Sequence, residues 1–406
     1  MRGLTSVPSI HWKPVLGLAV MQGSITLTWV IYNLYIPQLL VSLDFPEILG
    51  LYLLVIENLL TSVMEPLMGL LSDRVQTWLG LRFPWVILGT LLSTALFFLL
   101  PWTGNLDPGT SLRWLLPIGA VVWALAMALF RAPVLGLLGS SAERSHWPQA
   151  ASLIMLTGML ANNLSQPAHH HILKNLGAIG AFGLGSASLL LAVIVFSLTQ
   201  PPEADRPMRT DSSQSPIQPS LTTPPKPLLS QRLLILLLVG VGIGLGSTFL
   251  RRTLSSPEAA HLLTGFTTSH LITILPAGWL AKKWGNHRCL VAGMGIIGGL
   301  MSIQALLAPL LPASWLYGLA IALGIAFSFV LNGTLPFALA QAPTENAGFA
   351  TGAYFSGTAI ATAGVRSLDS LAISLSNGLL NLAGAIAFLV ASALIIQNRI
   401  QTRRIL

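Results

Sequence analysis

Charge is what this sequence has least of. Asp, Glu, Lys and Arg make up 8% of its 406 residues, against roughly 25% in an ordinary soluble domain. With 53% apolar residues and a mean hydropathy of +0.74, the chain reads as an integral membrane protein. Cysteine is scarcer still. Cys289 stands alone, which excludes an intrachain disulfide and leaves the compartment open. No phosphate-cradling G-x-x-x-x-G-K loop occurs, so an ATP-driven pump is excluded, and neither a cofactor nor an enzymatic activity is expected. A small-residue cleavage site is also missing after the first apolar run. That run follows Arg2 and Lys13, is too long for a signal-peptide core, and is expected to stay as the first helix.

What the chain does have is long apolar runs. A crossing takes about 20 apolar residues. The hydropathy predicts twelve spans, near 15–41, 47–71, 84–101, 114–138, 149–167, 177–199, 232–250, 258–281, 289–311, 315–341, 347–365 and 376–397. The fold class is therefore an all-α membrane protein of twelve transmembrane helices. One segment breaks the pattern. Residues 200–231, rich in Pro, Ser and Thr, read as a flexible linker between a six-helix half, 1–199, and a second, 232–406.

The net charge of +8 could point to nucleic acid, but its distribution argues against that. With the N-terminus inside and sides alternating, fifteen of the 21 Lys and Arg fall on inside segments. Arg113, Lys174, Arg251, Arg252 and Arg366 fall outside, and Arg131 lies within a span. This is the positive-inside bias. It predicts cytoplasmic termini and a multi-pass protein of the plasma (inner) membrane. The partners expected are a small-molecule solute, a proton and the lipid bilayer, with no nucleic acid, and the chain acting as a monomer.

The two halves echo each other. "GLLSDRVQTWLGLR" from Gly69 is answered by "GWLAKKWGNHR" from Gly278, 209 residues later. Pro133 in "RAPVLGLL" and Pro336 in "LNGTLPFALA" are 203 apart, and both spans are expected to be proline-broken. Paired broken helices in repeated halves are a transporter pattern. The stretch 278–288, with Gly278, Lys282, Lys283, Gly285 and Arg288, resembles the loop signature of the major facilitator superfamily. A tighter resemblance rests on "EPLMGLLSDRVQTWLGLRFPW", "FRAPVLGLL" and "LNGTLPFALAQAPTENAGFATGAYFSG". These are similar to the branch of sucrose–proton and melibiose-type cation symporters. Glu65-Pro66, Ser72-Asp73-Arg74 and Pro84 keep that branch's pattern. Gly80-Leu81-Arg82-Phe83 has lost basic residues from it. Independently of the family, Gly69 and Gly278 would let helices approach closely. Asp73 could bind donors at a neighbouring helix end, as a conformational latch. Arg74 and Arg82 could hold carbonyl ends or anionic lipid.

Only two of the 13 acids, Glu57 and Glu65, fall within spans. A central charge costs roughly 2.5–3.5 kcal/mol to insert, so such residues pair and mark function. Glu65 lies eight residues, about 12 Å of helix, from Asp73. Arg131 lies at a similar depth in span four, so the two are expected to pair. In melibiose-type symporters the residue before the span-two Pro, and that two before the span-four Pro, are acids that hold the cation. Here they match Glu65 and Arg131, and a further span-two Asp matches Thr61. The resemblance thus implies loss of a sodium site and leaves the proton, or no ion, as the driving ion. Glu57, without an evident cationic partner, is a candidate proton carrier. His270 could share a proton. The run His169–His171 cannot converge on one metal from a helix, and no metal site is expected.

Gln22, Thr26, Trp29 and Asn33 fall within about 60° of one another on span one. They make a polar–aromatic stripe suited to a hydrated cavity. Span eleven offers Thr351, Phe355, Thr358 and Thr362 with Tyr354 beside them, and span ten offers Asn332. Amides and hydroxyls beside aromatics suit a polyhydroxylated solute, although interhelical packing uses the same residues. The reading is a secondary transporter working by alternating access on a small polar solute such as a sugar. Two alternatives stand beside it. One is an exporter or anion carrier gripping its cargo with Arg131. The other is a non-transporting protein of the same fold, of pigment-delivery or scaffold type. The thinned span-two loop favours the last, as does Gly139 where relatives often carry an Asp.

Overall fold

The computed structural model describes residues 10–79, 83–164, 170–200, 226–255, 260–343, 346–371 and 375–405. Among them, twelve helices of 17 residues or more follow one another. The first six are α1 (Trp12–Ser42), α2 (Glu47–Leu79), α3 (Phe83–Thr103), α4 (Leu115–Gly136), α5 (Trp147–Asn163) and α6 (Gly177–Thr199). The second six are α7 (Lys226–Leu254), α8 (Ala260–Trp284), α9 (Asn286–Leu307), α10 (Ala313–Ala340), α11 (Ala347–Ser370) and α12 (Asn377–Ile405). Nine helices among the described residues are long and apolar enough to cross a membrane. Helix α5 is short, and α8 and α11 carry many hydroxyls. Extended structure among these residues amounts to one isolated bridge, Ile10 with Ala142.

Several helices run past their predicted ends, for want of a breaker. Nothing between Gly69 and Gly80 stops α2, so Asp73 and Arg74 ride on helix rather than on a loop. Helix α11 continues to Ser370, so Arg366 and Asp369, expected in an outside loop, are helical. The last residues of the expected linker, from Lys226, already belong to α7. The two proline-containing helices differ. Helix α4 ends three residues after Pro133, whereas α10 runs unbroken through Pro336. At the α8–α9 turn Gly285 takes φ +93°, a conformation in which a Cβ would be strained.

The packing repeats with an offset of six helices. Helix α1 lies against α5 and α6, as α7 lies against α11 and α12. Helix α4 packs on α2 and α3, as α10 packs on α8 and α9. Contacts of α3 with α6 are matched by α9 with α12. One apolar core lies among α1–α6 and takes in Leu335, Leu339 and Ala347. A second lies within 236–395. The sets meet along two seams, α2 on α11 and α5 on α8, with α4–α11 and α5–α10 beside them.

The first and last of the described residues lie at one end of the bundle. There His11 N donates to Ser141 O at 3.1 Å. Asn398 Nδ2 donates to Gln341 Oε1 at 2.8 Å. At the other end Arg252 pairs with Asp369 at 2.6 Å.

Candidate functional site: a half-open polar cavity

Glu65 of α2 and Arg131 of α4 meet as an ion pair, Arg131 Nη1 donating to Glu65 Oε1 at 3.2 Å. The Glu65 side chain is wholly buried, and 26% of Arg131 is exposed. The same guanidinium lies 4.6 Å from the centre of the Phe355 ring of α11, a cation–π contact. Arg131 therefore touches both sets of helices. Behind the pair, Gly352 of α11 comes so near the Glu65 carbonyl that any Cβ would collide.

Towards the end away from the termini, a cavity of about 280 Å³ opens above Arg131. The α1 stripe of Gln22, Thr26, Trp29 and Asn33 lines one side. Phe355, Thr358 and Thr362 of α11 line the other, and Glu57, Asn58 and Thr61 of α2 complete the wall. Glu57 has partners that its sequence position did not disclose. The Tyr32 hydroxyl donates to Glu57 Oε1, and Arg366, also on the cavity wall, is within Coulombic reach of Glu57. That corrects the expectation that Glu57 lacks a cation nearby.

An aromatic layer holds Tyr32 in place. Its ring stacks on Trp123 at 4.6 Å and 21°. Trp29 and Phe97 close on Trp123 at 4.8 and 4.9 Å. Such pairs add about 0.5–1.5 kcal/mol each beyond the area they bury. The layer ties α1, α3 and α4 together and sets the position of the Tyr32 hydroxyl that meets Glu57.

Buried polar atoms without a partner gather here. Gln22 Oε1, Trp29 Nε1, Glu57 Oε2, Glu65 Oε2 and Arg366 Nη1 have no hydrogen-bond partner among the described residues. An unsatisfied buried group costs about 1–3 kcal/mol, so folded proteins keep few of them. Four of them belong to residues of the cavity wall, with Glu65 buried behind Arg131, and they equip the cavity for water or a polar ligand.

Thr351, expected on the α11 stripe, is fully buried and donates to the Ala347 carbonyl of its own helix at 2.8 Å, and three further expected site residues lie elsewhere. Asn332 is fully buried and donates to the Ile274 carbonyl at 2.5 Å, tying α10 to α8. Tyr354 is buried in the second core, where its helix packs on α7. His270 Nδ1 lies 2.7 Å from Ser328 Oγ, between Phe266 and Phe327. All three join helices instead of facing the cavity. An amide on an apolar helix has the same sequence signature whether it faces solute or a neighbouring carbonyl.

The loop residues sit at the terminus-bearing end. Asp73 accepts from the backbone N–H groups of Gly348 at 3.1 Å and Phe349 at 2.8 Å, capping the start of α11. Gly69 abuts the Gly348 backbone with no room for a Cβ. Gly278 abuts Ser152 and the Pro148 carbonyl in the same way. Arg74, Lys282 and Arg288 are exposed. Gly80, Leu81, Arg82, His169 and residues 201–225 lie outside the described residues.

The bundle, its sixfold helix offset and its one-sided cavity define a multi-pass membrane protein of transporter architecture. The Major Facilitator Superfamily model matches residues 18–365, and the chain belongs to that family of transporters. No curated protein matches the chain. Among solved structures, a bacterial homologue of the iron transporter ferroportin in an outward-facing state is similar at 15% identity. Its TM-score is 0.70, over 96% of this chain and 99% of that one. The human organic anion transporter MFSD10 (TETRAN) is similar at 15% identity with TM-score 0.63, over 96% and 100%. The E. coli fucose:proton symporter is similar at 15% identity with TM-score 0.60, over 95% and 99%.

Proposed function

We propose that this chain carries a small polar solute across the membrane by alternating access, coupled to protons and independent of sodium. Its two six-helix halves, 1–199 and 232–406, rock against each other about the seams, with the linker between them and both termini in the cytoplasm. The observation that carries the reading is the cavity. Neutral amides, hydroxyls and two aromatics line a wall that carries four unpartnered polar atoms, and Asp73 ties the halves together at the terminus-bearing end. That arrangement corresponds to an outward-facing state. Since one chain completes the cavity, a monomer suffices.

The resemblance of "EPLMGLLSDR" and "FRAPVLGLL" to sugar–cation symporters supports a sugar-like cargo. Arg131 in place of a cation-binding acid supports a proton as driving ion, and Glu57, hydrogen-bonded by Tyr32 at the cavity wall, is its carrier. Arg366 favours a second reading, an anionic cargo, because it lines the cavity and its buried Nη1 has no hydrogen-bond partner among the described residues. Such a cargo would sit between Arg366 and Arg131.

The experiment is uptake into proteoliposomes under imposed proton or sodium gradients, after thermal-shift screening with sugars and carboxylates. A proton gradient drives accumulation in wild type, and Glu57→Gln abolishes the accumulation while leaving exchange. Accumulation driven by sodium alone would refute the coupling. If only carboxylates bind, and Arg366→Gln removes that binding, the second reading replaces the sugar.

A further inference from the structure

A second cavity, of about 480 Å³, lies on the outside of the bundle between the start of α9 and the end of α12. Its polar rim is His287, Arg288 and Arg399. Its floor is Val291, Ile396 and Ile400. None of these residues takes part in the central cavity.

The rim is built. His287 Nε2 lies 3.4 Å from the Ile395 carbonyl, to which it donates, so its Nδ1 is left to accept. Arg399 Nη1 lies 3.3 Å from that Nδ1. The imidazole thus anchors one side of the Arg399 guanidinium and leaves the rest turned to the cavity. Arg288 is exposed one residue along. No acid neutralises either cation from the surrounding helices, for α8, α9, α10 and α12 contain no Asp or Glu.

The depth is marked as well. Trp279 and Trp284, at the end of α8, are more than half exposed. Lys283 lies 5.6 Å over the Trp279 ring. Exposed tryptophans beside lysines mark the headgroup level of a bilayer. Val291 and Ile396 lie deeper along their helices than Arg288 and Arg399, and Ile396 stays 41% exposed, as suits contact with an acyl chain. A guanidinium pair over an apolar floor at headgroup depth matches an anionic amphiphile. A free anion would use the rim and leave the floor bare.

We infer that the α9–α12 cavity binds an anionic phospholipid, its phosphate between Arg288 and Arg399 and an acyl chain along Val291, Ile396 and Ile400. The site acts on the second half alone, because α9 and α12 pack on each other and on α7 and α10. Bound lipid would pin these helices together.

The test is a native mass-spectrometric titration of the full-length protein with phosphatidylglycerol, phosphatidylcholine or inorganic phosphate. Phosphatidylglycerol is expected to bind at least tenfold more tightly than phosphatidylcholine. The Arg288→Gln/Arg399→Gln variant weakens it on the order of 30-fold, from two lost cations. Lys13→Gln/Arg232→Gln, which removes the same charge elsewhere, leaves it unchanged. Equal binding of the two lipids would overturn the inference, as would an equal loss in the Lys13/Arg232 variant. Inorganic phosphate displacing the lipid at matched concentration would reduce the site to an anion site and overturn the lipid assignment. Should the double variant fail to fold, a photoactivatable phosphatidylglycerol on wild type decides. Crosslinks within 286–292 and 395–400 support the site, and crosslinks only elsewhere refute it.

Discussion

The two seams between the halves share a shape and differ in chemistry. On one, Gly69 lets α2 touch the backbone of Gly348, and Asp73 caps α11 through two backbone N–H groups. On the other, Gly278 lets α8 touch Ser152 and Pro148, but the residue matching Asp73 at the 209-residue offset is Lys282, which is exposed. The start of each partner helix explains the difference. Helix α11 begins Ala347-Gly348-Phe349 and offers free N–H groups. Helix α5 begins Trp147-Pro148, and proline has no N–H to give. An acid on the α5–α8 seam would find fewer donors. The repeat has kept the close approach on both seams and placed the electrostatic latch on one.

Substitutions can break this comparison, and the largest effect belongs beside the latch, at the ion pair. Glu65→Gln or Arg131→Gln leaves a buried charge alone and is expected to cost about 3–5 kcal/mol, read as a loss of thermal stability. Glu65→Arg/Arg131→Glu recovers part of it, and a swap no better than the summed singles would separate the two residues.

Next comes Asp73→Asn. It keeps the shape and removes the charge from two hydrogen bonds, for about 1.5–3 kcal/mol against the closed terminus-bearing end. Gly69→Ala should follow at about 1–3 kcal/mol from overpacking. It should exceed Gly278→Ala, since Gly69 meets backbone and Gly278 meets in part the movable Ser152 side chain. Lys282→Gln should change stability by less than about 0.5 kcal/mol. Equal effects of Asp73→Asn and Lys282→Gln in a melting assay would remove the asymmetry.

Much of this site was readable in one dimension. Depth from the loop placed Glu65 level with Arg131, and the 3.6-residue period put Gln22, Thr26, Trp29 and Asn33 on one face. Glycine spacing marked both seams. What stayed hidden came from pairings between distant helices. Tyr32, Trp123 and Phe97 form one layer from three helices, and no period within one helix announces that. Arg366 was missed because "RSLDS" resembles a loop, while the structure continues α11 through it. Asn332 and Tyr354 went the other way, since sequence cannot say which neighbour a polar residue faces.

The central claim is a cavity open away from the termini and shut by the Asp73 latch. The single cysteine allows a direct test. In a Cys289→Ser background, Asn33→Cys and Thr362→Cys are labelled with a membrane-impermeant thiol reagent from each side of oriented vesicles. Labelling is predicted from the side opposite the termini. Adding Asp73→Asn should lower it there and raise it on the terminus-bearing side. Labelling of both cysteines from the terminus-bearing side in the parent, unchanged by Asp73→Asn, would contradict the claim.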